Sequence, residues 1–390
     1  MAPHHLKLLG RVFQLSVGDR MVETLVLKVN PKQPELEKIR VAAQVVRKGG
    51  LVVFPTETVY GLGANALDDA AVLKIFKAKE RPADNPLIVH IADGDDLHIL
   101  AEHVPSEAKK LITQFWPGPL TLLLRKSELV PDATTAGLAT VAIRMPSHPI
   151  ARALIAEADV PIAAPSANLA GRPSPTTAKH VLDDLSGRIN IVIDGGAVGF
   201  GVESTVLDLT TEVPTVLRPG PVTVEELGQV LGEVKVHPVA KAEAPAEVVV
   251  AQAPGMKYKH YAPRAEVILV EGALDGMVSK IQELTVKHKS AGKKVGIMAT
   301  VETARKYRAD VVKVVGVRRK PKTIAKNLFK AFREFDEMGV DIVLAEGLKP
   351  KSIGLAIMNR LRKAAGYNIV RVRGSTKRLR SNAKRGFYKS

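Results

Sequence analysis

Past residue 264, four apolar runs at 267–270, 294–298, 311–315 and 341–345 alternate with stretches of helical spacing. This alternation narrows the fold sharply. Strands joined through helices pair in parallel, with the crossovers covering the sheet, so a smaller Rossmann-like parallel α/β domain is expected over 265–370. No Gly-x-Gly-x-x-Gly follows the first of these strands, and a dinucleotide site is not indicated. The earlier part of the chain is patterned differently. Short apolar runs recur at 23–29, 51–54, 87–91, 120–124, 141–143, 161–164, 191–193, 205–209 and 215–217. Helical spacings fall between them at 34–48, 68–79, 106–116, 149–158, 177–185 and 224–231. The spacing predicts a mixed α/β domain over 21–232.

Two domains also suit a length of 390 residues, beyond the usual size of one core. With 46% hydrophobic and 25% charged residues the composition is that of a globular protein. No apolar run approaches the ~18 residues of a membrane-spanning helix. Residues 1–20 lack the pattern of a signal peptide, and Met21 offers an alternative start. The absence of cysteine excludes disulfides, thiolate metal sites and cysteine nucleophiles. A cytoplasmic protein with no membrane contact is expected. The net charge of +17 is concentrated at one end, because residues 371–390 hold eight Lys and Arg and no acid. Such a tail reads as a solvated end with, at most, weak RNA contact. Residues 233–264, rich in Ala, Pro, Glu and Val, read as an interdomain linker. It ends in Pro254-Gly-Met-Lys-Tyr-Lys-His-Tyr-Ala-Pro263, which is too aromatic and basic for a plain spacer.

No P-loop, His-Glu-x-x-His or Gly-x-Ser-x-Gly occurs. Four loops at strand ends instead carry polar groups among Pro and Gly. Pro55 to Gly63 supplies the hydroxyls of Thr56 and Thr58, the Glu57 carboxylate and the Tyr60 ring. Lys79-Glu-Arg-Pro-Ala-Asp-Asn-Pro-Leu-Ile-Val-His90 presents Lys79, Arg81 and Asn85 from a proline-stiffened connection. Arg81 offers a planar fork and Lys79 a point charge, although cations facing the negative end of a helix would look the same. In the third loop Ser166 and Asn168 lie two apart and face one way if extended. The fourth, from Gly195 to Thr205, is glycine-dense, so its amides can approach an anion closely; a plain surface loop fits equally. Arg144 and Arg218 end strands and suit a carboxylate or phosphate clamp. The group describes a concave basic site for a polyanion and a small polar partner.

In their order, these segments resemble the YrdC-like threonylcarbamoyl-AMP synthases. The resemblance rests on Pro55-Thr-Glu-Thr-Val-Tyr-Gly-Leu62, Lys79-x-Arg81-Pro with Asn85-Pro-Leu-Ile-Val-His90, and Trp116-Pro-Gly-Pro-Leu-Thr121. It continues through Val141-Ala-Ile-Arg-Met-Pro146, Ala164-Pro-Ser-Ala-Asn168, Glu203-Ser-Thr205 and Leu217-Arg-Pro-Gly220. The linker motif and the following domain resemble the long, two-domain, archaeal-type form. The resemblance implies a YrdC-like twisted, open mixed sheet. It also implies a nucleotidyltransferase that makes threonylcarbamoyl-AMP and pyrophosphate from L-threonine, bicarbonate and ATP, for use by a tRNA-modifying transferase complex. By the same resemblance Lys79 and Arg81 are catalytic. They join Asn85, Thr140, Ser166, Asn168, Arg218 and Tyr258 or Tyr261 at ATP, while Thr56, His90, Arg144 and Ser204 hold threonine. The linker tyrosines would form a lid. Magnesium is expected on the triphosphate rather than on protein ligands. Residues 354–362 and Glu346-Gly347 are noted as a second-domain surface toward the site, with no chemistry attached. Rival readings are an RNA-binding module, which the basic concavity would also suit, and a carbamoyl-transfer accessory domain of hydrogenase maturation factors, which the missing cysteines oppose.

Overall fold

The computed structural model describes residues 11–13, 23–245, 251–253, 256 and 261–372. Tyr258, most of 1–22 and the basic tail beyond Val372 lie outside the described residues. Within them a large mixed sheet is followed by a five-stranded parallel sheet, as the alternation of apolar runs requires.

The mixed sheet runs, edge to edge, Arg11–Phe13, Thr24–Lys28, Ile191–Asp194, Val52–Pro55, Tyr60–Asn65, Ile162–Ala163, Ile88–His90, Thr140–Arg144, Leu120–Arg125, Thr205–Asp208, Thr215–Arg218 and Lys235–Val236. Two of these strands lie where no strand was expected, one ahead of Met21 and one in the stretch read as linker. Arg11–Phe13 pairs antiparallel with Thr24–Lys28, and Lys235–Val236 pairs parallel with the strand after Pro214. Ala251, Ala253 and Met256 are buried with Ile88, Leu123, Ala142, Val206 and Leu217. The described part of the linker is therefore a cover for the sheet face. Its small apolar residues suit that task, and composition alone does not distinguish it from a spacer.

Helices form where apolar spacing and caps coincide. Leu36–Arg47 buries Ile39, Ala42, Ala43 and Val46 on one stripe and stops at Gly49, whose φ of +70° ends the helix. Asp69–Lys79 begins at Asp68, whose side chain accepts from the amides of Ala70 and Ala71. It ends at Glu80 in the left-handed region, and the Arg81 amide donates back to Phe76 O.

In the second sheet the order is Val311–Gly316, Val295–Thr300, Ile342–Glu346, Glu266–Gly272 and Ile369–Val372, every pairing parallel. Alternate residues of Glu266–Gly272 face opposite cores. Ile268 and Val270 pack under helix Leu274–Ser290, and Val267 and Leu269 under Pro321–Glu337 and Ile353–Ala364. The latter core also contains Val59 and Val202 of the first sheet's loops. Gly201, at φ +76°, lies so close to the backbone of Lys326 that a Cβ would sit 2.5 Å from its carbonyl oxygen. The two units thus share apolar core.

Candidate active site

Strand register gathers the chemistry at one rim. His90 pairs with Arg144 across parallel strands and with Ile162 on its other side. Thr56 follows the strand Val52–Pro55, Ser204 precedes Thr205–Asp208 and Arg218 ends the antiparallel neighbour of that strand. The Thr121 and Ser204 hydroxyls meet at 2.8 Å. Around this rim opens a cleft lined by Thr56, Thr58, Arg81, His90, Arg144, Ser166, Asn168, Glu203, Ser204, Arg218 and Tyr261, among others. Nine of the thirteen residues assigned to ATP or threonine from the sequence are in that lining, with Thr58 beside them.

Arg144 is the most constrained of them. It is buried, donating from Nε to Gly118 O (3.2 Å), from Nη1 to Thr58 Oγ1 (3.0 Å) and from Nη2 to Glu57 Oε1 (2.6 Å). A guanidinium has five N–H groups, so two stay available in an orientation fixed by the other three. That matches the two oxygens of a carboxylate. Glu57 is held in turn by the Ser147 amide. Thr56 is the hinge of the same loop, its hydroxyl accepting from the amides of Thr58 and Val59 and donating to Val59 O.

His90 is buried, and burial together with the Arg144 guanidinium pushes its pKa down to about 3. It is a neutral imidazole at pH 7. A carbonyl can only accept, so Nδ1, 3.2 Å from Ile88 O, carries the proton and Nε2 is left as an acceptor. Arg218 is lowered to about 10 by burial and stays charged; it donates to Ser204 O and Ser204 Oγ, both at 3.0 Å.

The cation pair of the Lys79–His90 segment separates. Arg81, partly exposed, reaches the cleft, with Nη2 on Asn85 O (2.8 Å) and its head over the Phe76 ring. Lys79 ends the helix but turns inward, donating from Nζ to Ser166 O and to Asn168 O. It is buried, and burial and the nearby Arg81 charge hold its pKa well below the lysine range. Lys79 therefore does not face the cleft as the loop pattern suggested; it lies beneath the Ser166–Asn168 loop and fixes it. Asn85 is buried outside the lining, and among the described residues neither its amide nitrogen nor its amide oxygen has a hydrogen-bond partner, as is also true of Asn168 Oδ1. Unpaired buried amides beside Arg81 mark a place where a polar ligand or water is wanted. Thr140 starts the strand that Arg144 ends, about 13 Å away at the spacing of an extended chain, and is not in the lining.

The glycine loop also departs from expectation. The Gly195 amide donates to Tyr60 Oη, the Gly196 amide to Asp194 Oδ1, and the Phe200 and Gly201 amides to the carbonyls of Glu57 and Thr58. The Gly195, Phe200 and Gly201 amides thus brace the threonine-rich loop and are not presented to an anion. Arg172 and Ser174 also line the cleft and were not singled out. Arg172 pairs with Asp184, and Ser174 donates to Glu203 Oε1. Their partners are remote in sequence, so no spacing signals them.

A cationic cleft at the strand ends of a twisted mixed sheet, fused to a parallel α/β unit, is suited to ligands that carry carboxylates and phosphates. The Sua5/YciO/YrdC family model, described as telomere recombination, matches residues 44–220. The model described as threonylcarbamoyl-AMP synthase, C-terminal domain, matches 222–366. A threonylcarbamoyl-AMP synthase of Pyrococcus abyssi is 54% identical over 90% of this chain and 100% of its own length. One from Bacillus subtilis is 49% identical over 86% and 94%. The crystal structure of P. abyssi Sua5 complexed with L-threonine superposes with a TM-score of 0.85 at 55% identity, covering 89% of this chain and 99% of that one. The chain belongs to the threonylcarbamoyl-AMP synthase family, in its two-domain form.

Proposed function

We propose that the protein joins L-threonine, bicarbonate and ATP into threonylcarbamoyl-AMP, releasing pyrophosphate and water. The observation that carries this reading is the pair of uncommitted Arg144 N–H groups, fixed beside a neutral His90 in the cleft that also holds Arg81, Ser166 and Arg218. Arg144 takes the amino acid carboxylate, with Thr56 and Ser204 beside it. His90 Nε2 accepts a hydrogen bond from the amine or hydroxyl. The amine attacks bicarbonate-derived CO2 and loses a proton, giving a carbamate. A carbamate oxygen then attacks the α-phosphorus and pyrophosphate leaves. Both reactants are anions, so charge neutralisation and alignment matter more than a strong base. Arg81 and Arg218 serve that role on the phosphates, with Ser166, Asn168, Asn85 and the Tyr261 ring at the nucleotide. Lys79 acts from below by holding the Ser166–Asn168 loop.

Glu57 and Glu203, the carboxylates at the cleft, are already engaged by Arg144 and Arg360. Magnesium therefore fits best on the triphosphate, ligated by phosphate and water, where it would neutralise charge. The product is a reactive mixed anhydride, suited to a transferase that modifies an adenosine of tRNA. Purified protein given ATP, threonine and labelled bicarbonate is expected to form a labelled adenylate with stoichiometric pyrophosphate. Salt-sensitive RNA binding without such turnover would favour the RNA-binding reading instead.

A further inference from the structure

Arg360, on the second domain's helix Ile353–Ala364, is fully buried against the first domain. Its Nε donates to Glu203 Oε2 at 3.0 Å, its Nη1 donates to Pro219 O, and its head lies 5.7 Å from the centroid of the Tyr261 ring. Each contact lies in the cleft wall or next to it. Glu203 precedes Ser204, Pro219 follows Arg218, and Tyr261 is itself in the lining and stacked on Phe329 at 5.3 Å. The two wall segments are also pressed together, because a Cβ on Gly220 would sit 2.3 Å from the Thr205 nitrogen.

We propose that Arg360 is a positioning residue for the synthase reaction: through Glu203, Pro219 and Tyr261 it fixes Ser204 and Arg218, so the second domain completes the substrate cleft. The inference rests on the reading of the cleft given above. A single side chain bridges three wall segments that share no neighbouring sequence. The charge pattern supports the same role. The groups facing Glu203 are Arg360, Arg218, Lys363, Tyr261 and the Ser174 hydroxyl. Burial alone would raise the Glu203 pKa, and the two guanidiniums outweigh it, so the carboxylate stays ionised beside Arg218. Without Arg360 the burial penalty loses its chief opponent. Glu203 then takes a proton as pH falls, and the anchor for Arg218 and Ser204 weakens.

The test compares full-length wild type, Arg360→Gln and Arg360→Lys by steady-state pyrophosphate release between pH 6 and 8, with thermal unfolding alongside. Threonine- and bicarbonate-dependent release by wild type is established first; its absence would reject the reading of the cleft independently of Arg360. Arg360→Gln is expected to raise the threonine KM at least tenfold over wild type at pH 7, and further as pH is lowered to 6. Arg360→Lys, which keeps the charge but not the fork, should raise it several-fold with wild-type pH dependence. A purely structural role predicts parallel losses of thermal stability with unchanged KM and pH profile, and that result overturns the proposal. Should Arg360→Gln fail to fold, a wild-type threonine KM in Arg360→Lys overturns it alone.

Discussion

Arg144 and Lys79 are both buried basic side chains, and their hydrogen bonds assign them opposite tasks. Arg144 spends three donors on the protein and keeps two for the cleft, whereas the described contacts of Lys79 are loop carbonyls under Ser166 and Asn168. The same contrast divides the pair that sequence places on one loop. Arg81→Ala is expected to abolish threonine-dependent pyrophosphate release with little change in thermal stability, since Arg81 is partly exposed. Lys79→Ala should lose both activity and stability, because two buried carbonyls forfeit their donor at about 1–3 kcal/mol each. Melting curves of the two variants beside their rates distinguish the roles; equal stability loss would contradict the division. That Lys79 and Arg81 belong near the site was legible in the motif. The direction of Lys79 was not, because it depends on a loop 87 residues away.

Between the two sheets, elements are joined by buried ion pairs as well as by apolar core. Arg333 of helix Pro321–Glu337 donates to both oxygens of Asp184 and to Pro173 O, with the pair almost wholly buried. Removing Arg333 takes away one of the two guanidiniums on Asp184 and leaves only the partly exposed Arg172, so Arg333→Met should cost about 1–3 kcal/mol in denaturant unfolding. A cost below about 1 kcal/mol would show that the interface tolerates the loss. Deleting the second domain should do more, since it removes Arg333 from Asp184 and Arg360 from Glu203 together and exposes Val59 and Val202. The truncated chain is expected to aggregate or to lose threonine-dependent turnover; normal kinetics from it would argue against a shared site. Strands and helices on both sides of this interface were readable from apolar spacing and caps, as at Asp68 and Gly49. Of the interface, residues 354–362 were noted as a surface toward the site, but the contacts were not legible, because Gly201 reads as loop glycine and nothing in the spacing gives Arg360 its partners Glu203 and Pro219.

For the molecule as a whole, buried neutral histidines set an acid limit. His90 is lowered to about 3 and His180 to about 4, each chiefly by burial. Below the ordinary histidine pKa of 6.5 the unfolded chain binds protons that the native state refuses. Stability conferred by these groups is therefore complete above that pH and lost as pH falls toward the folded values, by at most about 1.4 kcal/mol per pH unit for each. Urea unfolding between pH 7 and 4 should show this slope, and His90→Gln should reduce it; an unchanged slope would place the acid sensitivity elsewhere. The two-domain architecture and the basic cleft were legible in the sequence because strand-end motifs recur in a fixed order. What sequence could not supply is which donors remain after folding, and Arg144 turns on that. Its two remaining N–H groups are tested by measuring pyrophosphate release as threonine is varied, at fixed ATP and bicarbonate, for wild type and Arg144→Gln. Loss of a charged two-pronged clamp worth about 3 kcal/mol predicts a threonine KM raised about 100-fold with the ATP KM nearly unchanged. A wild-type threonine KM in that variant would contradict the account.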